Sequence, residues 1–348
     1  MINALHFANN AKRKSGLYEC TRDQIFYERK CGINSQLAFY EQEKVSKDWI
    51  DDGWLKPVDW SWAKNANLFI VHRGIPGEVL KKFPNTKKIM VVHGTADFLI
   101  LDEIVSKGDR QNINVHINLI NSTNASVAVN RHDYEIYKYY DRDDKLSLIH
   151  DAIDTDKFSL KGYKHPYLNH PQIIYADSLR INKNPAHIIW AMPEIFKTIP
   201  NARLTIFGLK LNSILTWRNF ILRSAGQRLN SMIENIQLET TELRPYYRGA
   251  DILYNGNFSG IPSRVEMEAM ACGCQVISSN GDFSKFHFKA YDIKSIAKAF
   301  CDCWEYIKKD PKKARQEARR YALKHFSMEK KVKNEYISLY HRVLEDKK

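Results

Sequence analysis

The chain has 348 residues, 44% hydrophobic and 27% charged, a balance that leaves room for two folded domains and excludes a disordered tail or a fibre. Lys plus Arg number 53 against 40 Asp plus Glu, so the net charge is +13, which favours a polyanionic partner: nucleic acid, anionic lipid or a phosphorylated small molecule. There is no apolar run of about 18 residues to span a bilayer and no secretory leader pattern, and the 6 cysteines form no C-x-x-C pair, so they read as reduced, buried thiols of a cytoplasmic protein.

Short apolar, β-branched runs recur along the chain at residues 2–7, 68–72, 88–92, 126–130, 146–150, 173–177, 203–208, 251–255 and 275–279. Their brevity predicts strands buried on both faces of parallel sheets, and the lengths between them suit crossover helices. The pattern is that of an α/β chain. A polar, proline-containing stretch at 161–171 interrupts it, which predicts two doubly wound domains with a cleft between them. Residues 209–230 and 311–344 have helical spacing. Across the start of the second, Lys308, Lys309, Lys312, Lys313, Arg315, Arg319 and Arg320 form a basic run, read as a solvated helix face or an electrostatic footprint.

The strongest local signal is SGIPSRVEMEAMACGCQVISS at 259–279. Ser263-x-x-Glu266 fits a capping box and starts a helix; Gly273 ends it, and the next buried strand follows. Such a helix start presents free N–H groups and partial positive charge, to which Arg264 would add. On physics alone it is a phosphate cradle or simply a well-capped helix, and both readings stand.

This stretch resembles the signature of the family 4 retaining glycosyltransferases of the GT-B fold, E-G-F-G-L-x-x-L-E-A-M-A-C-G-x-P-V-I. Other segments resemble family motifs in the same order: LIHDAIDTDKF at 148–158, IIYADSLRINKNP at 173–185, PNARLTIFG at 200–208, LRPYYRGAD at 243–251 and HFSME at 325–329. The resemblance implies two Rossmann-like domains, at 1–160 and 161–325, with a C-terminal helix at 326–348 returning to the first.

It also implies a donor site on the second domain. Glu268 matches the family glutamate that holds the ribose hydroxyls, a task suited to an acceptor-only carboxylate. Lys183 matches the lysine that pairs with the diphosphate, and the backbone at Ser263 and Arg264 would cradle it. Three positions depart from the pattern. Gly260 stands where the family glutamate contacts the transferred sugar, Ser178 stands where an arginine precedes the lysine, with Arg180 two residues on, and Asp177 replaces a strand-end glycine. In the first domain Gly16 falls where the family has its glycine-rich turn. His93, after the strand at 88–92, matches the histidine near the reacting carbon, with His72 as runner-up. Lys12, Arg13 and Lys14, with Arg131 and His132, would face the acceptor.

The expected activity is therefore sugar transfer from a nucleoside-diphosphate donor, a UDP-sugar, to a hydroxyl, with retention. His93, Lys183 and Glu268 are the catalytic candidates, and no metal or other cofactor is expected. Gly260 leaves a pentose as an alternative to a hexose. The favoured acceptor is a hydroxylated pyrimidine base in DNA, as in phage enzymes that modify their genomes. The alternatives are an envelope polysaccharide or lipid-linked glycan, with peripheral membrane contact, and a nucleic-acid-binding protein on a degenerate GT-B scaffold.

Overall fold

A computed structural model of the chain describes residues 1–8, 16–39, 57–72, 74–93, 113–168, 170–177, 183–207, 233–236, 242–257, 263–279 and 283–346. Two compact units emerge: Met1–Ala152 with Ser327–Lys348, and Ile153–Phe326.

The first unit holds a six-stranded parallel sheet in the order β2-β1-β3-β4-β5-β6. Its strands are β1 (Asn3–Ala8), β2 (Asn34–Phe39), β3 (Leu68–Val71), β4 (Lys87–Val92), β5 (Ala125–Ala128) and β6 (Leu146–Leu148). The register pairs Ala4 with Leu68 and Ile70 with Ile89. These runs are buried on both faces, which is why they lack a polar alternation. Helix α1 (Gly16–Lys30) crosses from β1 to β2, then come α2 (Gly77–Lys82), α3 (Ile113–Ser122) and α4 (Arg131–Lys138).

The second unit holds another six-stranded parallel sheet, in the order β12-β11-β10-β7-β8-β9. Its strands are β7 (Gln172–Tyr175), β8 (Arg203–Phe207), β9 (Ile233–Ile236), β10 (Ile252–Asn255), β11 (Gln275–Ser278) and β12 (Phe286–His287). Counted within the unit this is the Rossmann order, whose direction of winding reverses between β7 and β10. Helices α5 (Pro185–Thr198), α6 (Arg244–Gly249), α7 (Arg264–Ala271), α8 (Ile293–Lys309) and α9 (Pro311–His325) flank it.

The sequence-based expectations differ from the structure in three places. The second unit begins at Ile153, before the polar 161–171 stretch, because Ile153 and Phe158 are buried in its core beside Tyr247 and Met267. The basic tail is not one helix: α9 stops at His325, and Ser327 caps a new start for α10 (Met328–Lys331). A π-helical turn (Val332–Tyr336) and α11 (Ile337–Glu345) follow, and Met328, Val332, Tyr336, Leu339, Tyr340 and Val343 are buried in the first unit's core. Nor is the basic run wholly solvated. Arg315 donates to the carbonyls of Ala250 and Cys272, and Arg319 to those of Ala271 and Thr155. Two cations thus satisfy carbonyls at the C-terminal end of α7, where the helix dipole favours positive charge. The helix expected at 209–230 lies outside the described residues.

Candidate functional site

In the second unit, the carboxyl ends of β7 and β10 open beside the start of α7, at the point where strand order reverses. Ser263 caps α7: its Oγ accepts the Glu266 N–H, and its extended φ and ψ of −74° and 155° turn the chain into the helix. Gly273 ends the segment at φ +84°, a left-handed position that glycine takes without a Cβ penalty. Lys183 precedes Asn184, itself left-handed at φ 50°, which leads into Pro185 at the start of α5.

Lys183 Nζ lies 3.0 Å from Asp177 Oδ2, so the expected phosphate partner is held by a carboxylate that the sequence motif replaces glycine with. Glu266 is fully buried and takes a hydrogen bond from Asn255 Nδ2. Burial pushes its pKa up to about 7, against the Asn255 amide, the Ser263 backbone N–H and the Lys183 charge, all of which favour the ionised form. Glu268, one helical face away, accepts from Arg264 Nε at 2.9 Å and from the Tyr247 hydroxyl at 3.3 Å. An ionised carboxylate only accepts, the capacity that the sequence reading asks of Glu268. Arg264 is thereby bound to Glu268 across one turn, in addition to sitting in the first turn of the helix.

In the first unit His93 follows β4 directly, and its Nε2 is 2.9 Å from His72 Nδ1. His72 is the more deeply buried, at 1% exposure, so the two histidine candidates form one hydrogen-bonded pair with His93 nearer the surface. Burial lowers the pKa of both, most for His72, where the neighbouring His93 and His6 add to it; for His93, Asp151 pulls the other way. Ligand-type atoms of Cys20, His93 and Asp151 lie within 4.8 Å of one another. The thiol donates to Asp151 Oδ1 at 2.8 Å, and the same oxygen accepts the Ala152 N–H at 2.8 Å. Asp151 is thus hydrogen-bonded to Cys20 and to the backbone, with His93 beside them.

Gly16 opens α1, and among the described residues nothing lies within 4 Å of a Cβ built there. Arg131 and His132 are exposed in the first turn of α4, behind the Asn130 cap at the end of the β5 loop. Lys12, Arg13, Lys14, Arg180 and Gly260 lie outside the described residues. The structure adds Asp177, Asn255 and Tyr247 to the second site and His6 and Glu28 to the first. A polar residue at the carboxyl end of a buried strand, as at Asn255 and Asp177, was the available signal for two of them.

Among the described residues, no helix is long and apolar enough to cross a membrane. No characterised protein sequence matches the chain significantly. A glycosyltransferase from Rickettsia africae superposes with a TM-score of 0.72 at 15% identity, covering 99% of each chain. HepE of Anabaena, in complex with UDP and glucose, gives 0.73 at 13% identity, over 98% of this chain and 100% of its own. The sucrose-phosphate synthase of Thermosynechococcus elongatus gives 0.72 at 14% identity over 99% of each. The profile of the family described as "Glycosyl transferases group 1" matches residues 160–325, nearly the whole second unit. The second unit thus belongs to the group 1 glycosyl transferases, and the chain has the GT-B fold of these enzymes.

Proposed function

We propose that this chain transfers a sugar from a nucleoside diphosphate to a hydroxyl group, with retention at the anomeric carbon and without a metal ion. The observation that carries the reading is the cluster at the strand reversal of the second sheet: Lys183, the capped start of α7 and Glu268 on one edge. A diphosphate meets a cation and a helix N-terminus there, and a ribose meets a carboxylate. Charge building on the departing diphosphate would be offset by Lys183 and the helix dipole. UDP is the favoured nucleotide, since HepE of Anabaena was solved with UDP and with UDP-glucose. His93 would act in the first unit, near the reacting carbon.

For the acceptor we favour a hydroxylated pyrimidine base in DNA, on the +13 charge of the chain and on the exposed Arg131 and His132 beside a strand end. A lipid-linked or polysaccharide glycan is the competing acceptor. Incubation with a panel of nucleotide sugars and both acceptor classes, read by mass spectrometry, tests the proposal. Mass added to DNA carrying 5-hydroxymethylcytosine supports it. Transfer to the glycan alone replaces the DNA reading, and no transfer from any nucleotide sugar overturns the enzyme.

A further inference from the structure

A hydrogen-bonded chain runs from His93 into the core of the first unit. His93 Nε2 meets His72 Nδ1 at 2.9 Å, His72 Nε2 meets His6 Nδ1 at 2.9 Å, and His6 Nε2 meets Glu28 Oε2 at 2.8 Å. His6 and His72 each use one nitrogen on each side, so the protonation of His93 at one end is coupled to Glu28 at the other. The parts come from separate elements: His6 from β1, His72 and His93 from the ends of β3 and β4, Glu28 from α1. His6 and Glu28 are fully buried, and the His6 and His72 rings are stacked with centroids 5.2 Å apart.

Glu28 sets the direction of these bonds. Ser35 Oγ, the Tyr340 hydroxyl and Gln24 Nε2 all donate to its carboxylate, as does His6. Burial works to raise its pKa, but His6, Ser35 and Tyr340 together outweigh burial and hold it below the ordinary carboxylate value. An ionised carboxylate only accepts, so His6 carries its proton on Nε2 and, when neutral, offers a bare Nδ1. Only His72 Nε2–H can fill that acceptor. His72 Nδ1 is then bare, His93 donates its Nε2–H, and His93 Nδ1 is left unprotonated.

We propose that Glu28, His6 and His72 are positioning residues that fix the tautomer of His93 and take up the positive charge when His93 gains a proton. The inference rests on the reading of His93 as a group at the reacting centre. The step balances without any other reactant. A proton binds His93 Nδ1, the proton on His93 Nε2 passes to His72 Nδ1, and the proton on His72 Nε2 passes to His6 Nδ1. His6 becomes an imidazolium against the Glu28 carboxylate. His93 is neutral before and after, but its Nδ1 changes from acceptor to donor. The charge rests in the core beside its counterion, away from His93.

Among the described residues, the groups facing this relay come from several elements. Cys20, Gln24 and Arg29 lie on α1, Ser35 on β2, Asp151 after β6, and Tyr336 and Tyr340 on the tail. Glu28 acts directly on the His6 end and Asp151 on the His93 end, which gives the relay a carboxylate at each terminus.

Histidine-selective 15N labelling of the full chain tests the proposal without using activity. At neutral pH His93 should be in the Nε2–H form. On acidification between about pH 8 and 5 it should change to the Nδ1–H form while remaining neutral. In Glu28→Gln the amide oxygen still accepts from His6, so the neutral-pH tautomers persist, but the midpoint of the change falls by at least about one pH unit because the counterion is gone. Tyr340→Phe preserves the packing and removes a donor to the carboxylate, so it moves the midpoint upward and serves where the Glu28 variant does not fold. The kcat profile should shift with these midpoints while the donor KM stays constant. A wild-type His93 in the Nδ1–H form at neutral pH, or midpoints unmoved by both substitutions, overturns the relay. His93→Ala separates the two ideas. Wild-type transfer by that variant alongside a clear tautomer change removes His93 from the reaction and leaves the relay, whereas an inactive variant with no tautomer change in the parent does the reverse.

Discussion

Asp177 Oδ2 sits 3.0 Å from Lys183 Nζ, and both side chains are largely buried at the end of β7. A diphosphate that takes Lys183 must therefore compete with this carboxylate. Lys183→Ala should lower kcat/KM by roughly 10²-fold, because the charge serves both the bound diphosphate and the leaving group. Asp177→Asn should do the opposite to binding and lower the donor KM by on the order of threefold, the scale of a partly exposed ion pair. Steady-state kinetics of the two variants decide the matter; a raised KM in Asp177→Asn would mean that the carboxylate positions the lysine rather than competing for it.

Glu266 and Glu268 share a helix but should behave differently. Glu268→Gln should raise the donor KM with little change in kcat, since a neutral amide accepts less strongly from the ribose hydroxyls. Glu266 is buried and titrates near 7, above the ordinary carboxyl value of 4.5. The folded state therefore holds its proton more tightly than the unfolded chain. Stability from this group is fully present below about pH 4.5 and is lost as pH rises to about 7, by on the order of 3 kcal/mol. Glu266→Gln removes that loss. Urea unfolding of both proteins from acid to pH 8 should show the variant gaining on the parent as pH rises; a pH-independent gap would place the titration elsewhere.

His93→Ala should cut kcat by roughly 10²-fold and leave the donor KM nearly unchanged, as expected of a group acting in the transition state. An equal rise in KM would make it a binding residue instead.

Arg319 donates to the carbonyls of Ala271 and Thr155, and these acceptors lose their partner in Arg319→Ala. The variant should lose about 1–3 kcal/mol of unfolding free energy, measured by denaturant titration. A stable variant with weakened binding of polyanions would instead assign Arg319 to a surface footprint.

If DNA is the acceptor, its affinity should fall steeply with salt, by roughly 0.9 in log K per phosphate contact for each tenfold rise. Reversing charge at Lys12, Arg13, Lys14 and Arg131 should weaken DNA binding and leave nucleotide-sugar affinity alone. Equal binding by the reversed protein would move the footprint to the other unit.

The parallel sheets were legible because a doubly buried strand must be a short apolar run, and nine such runs stood out. β2 was missed: NSQLAF begins with three polar residues, and only Leu37, Ala38 and Phe39 give the apolar signal. β12 has two residues and gives none. The start of α7 was legible because Ser263 is its own capping signal. Glu28 was not legible. A glutamate on a helix reads as solvent-facing, and only the convergence of His6, Ser35, Gln24 and Tyr340 makes its burial tolerable. Tyr340 lies 312 residues away in sequence, beyond any local pattern.

That distance has a consequence for how the protein is made. Residues 153–326 are an uninterrupted segment, so the second unit can close its core as soon as it leaves the ribosome. The unit begun first cannot do so, because Met328, Val332, Tyr336, Leu339, Tyr340 and Val343 fill its core and are synthesised after residues 153–326. A premature stop near residue 327 would therefore spare the second unit and leave the histidines without a finished interior, with Glu28 short of its Tyr340 partner.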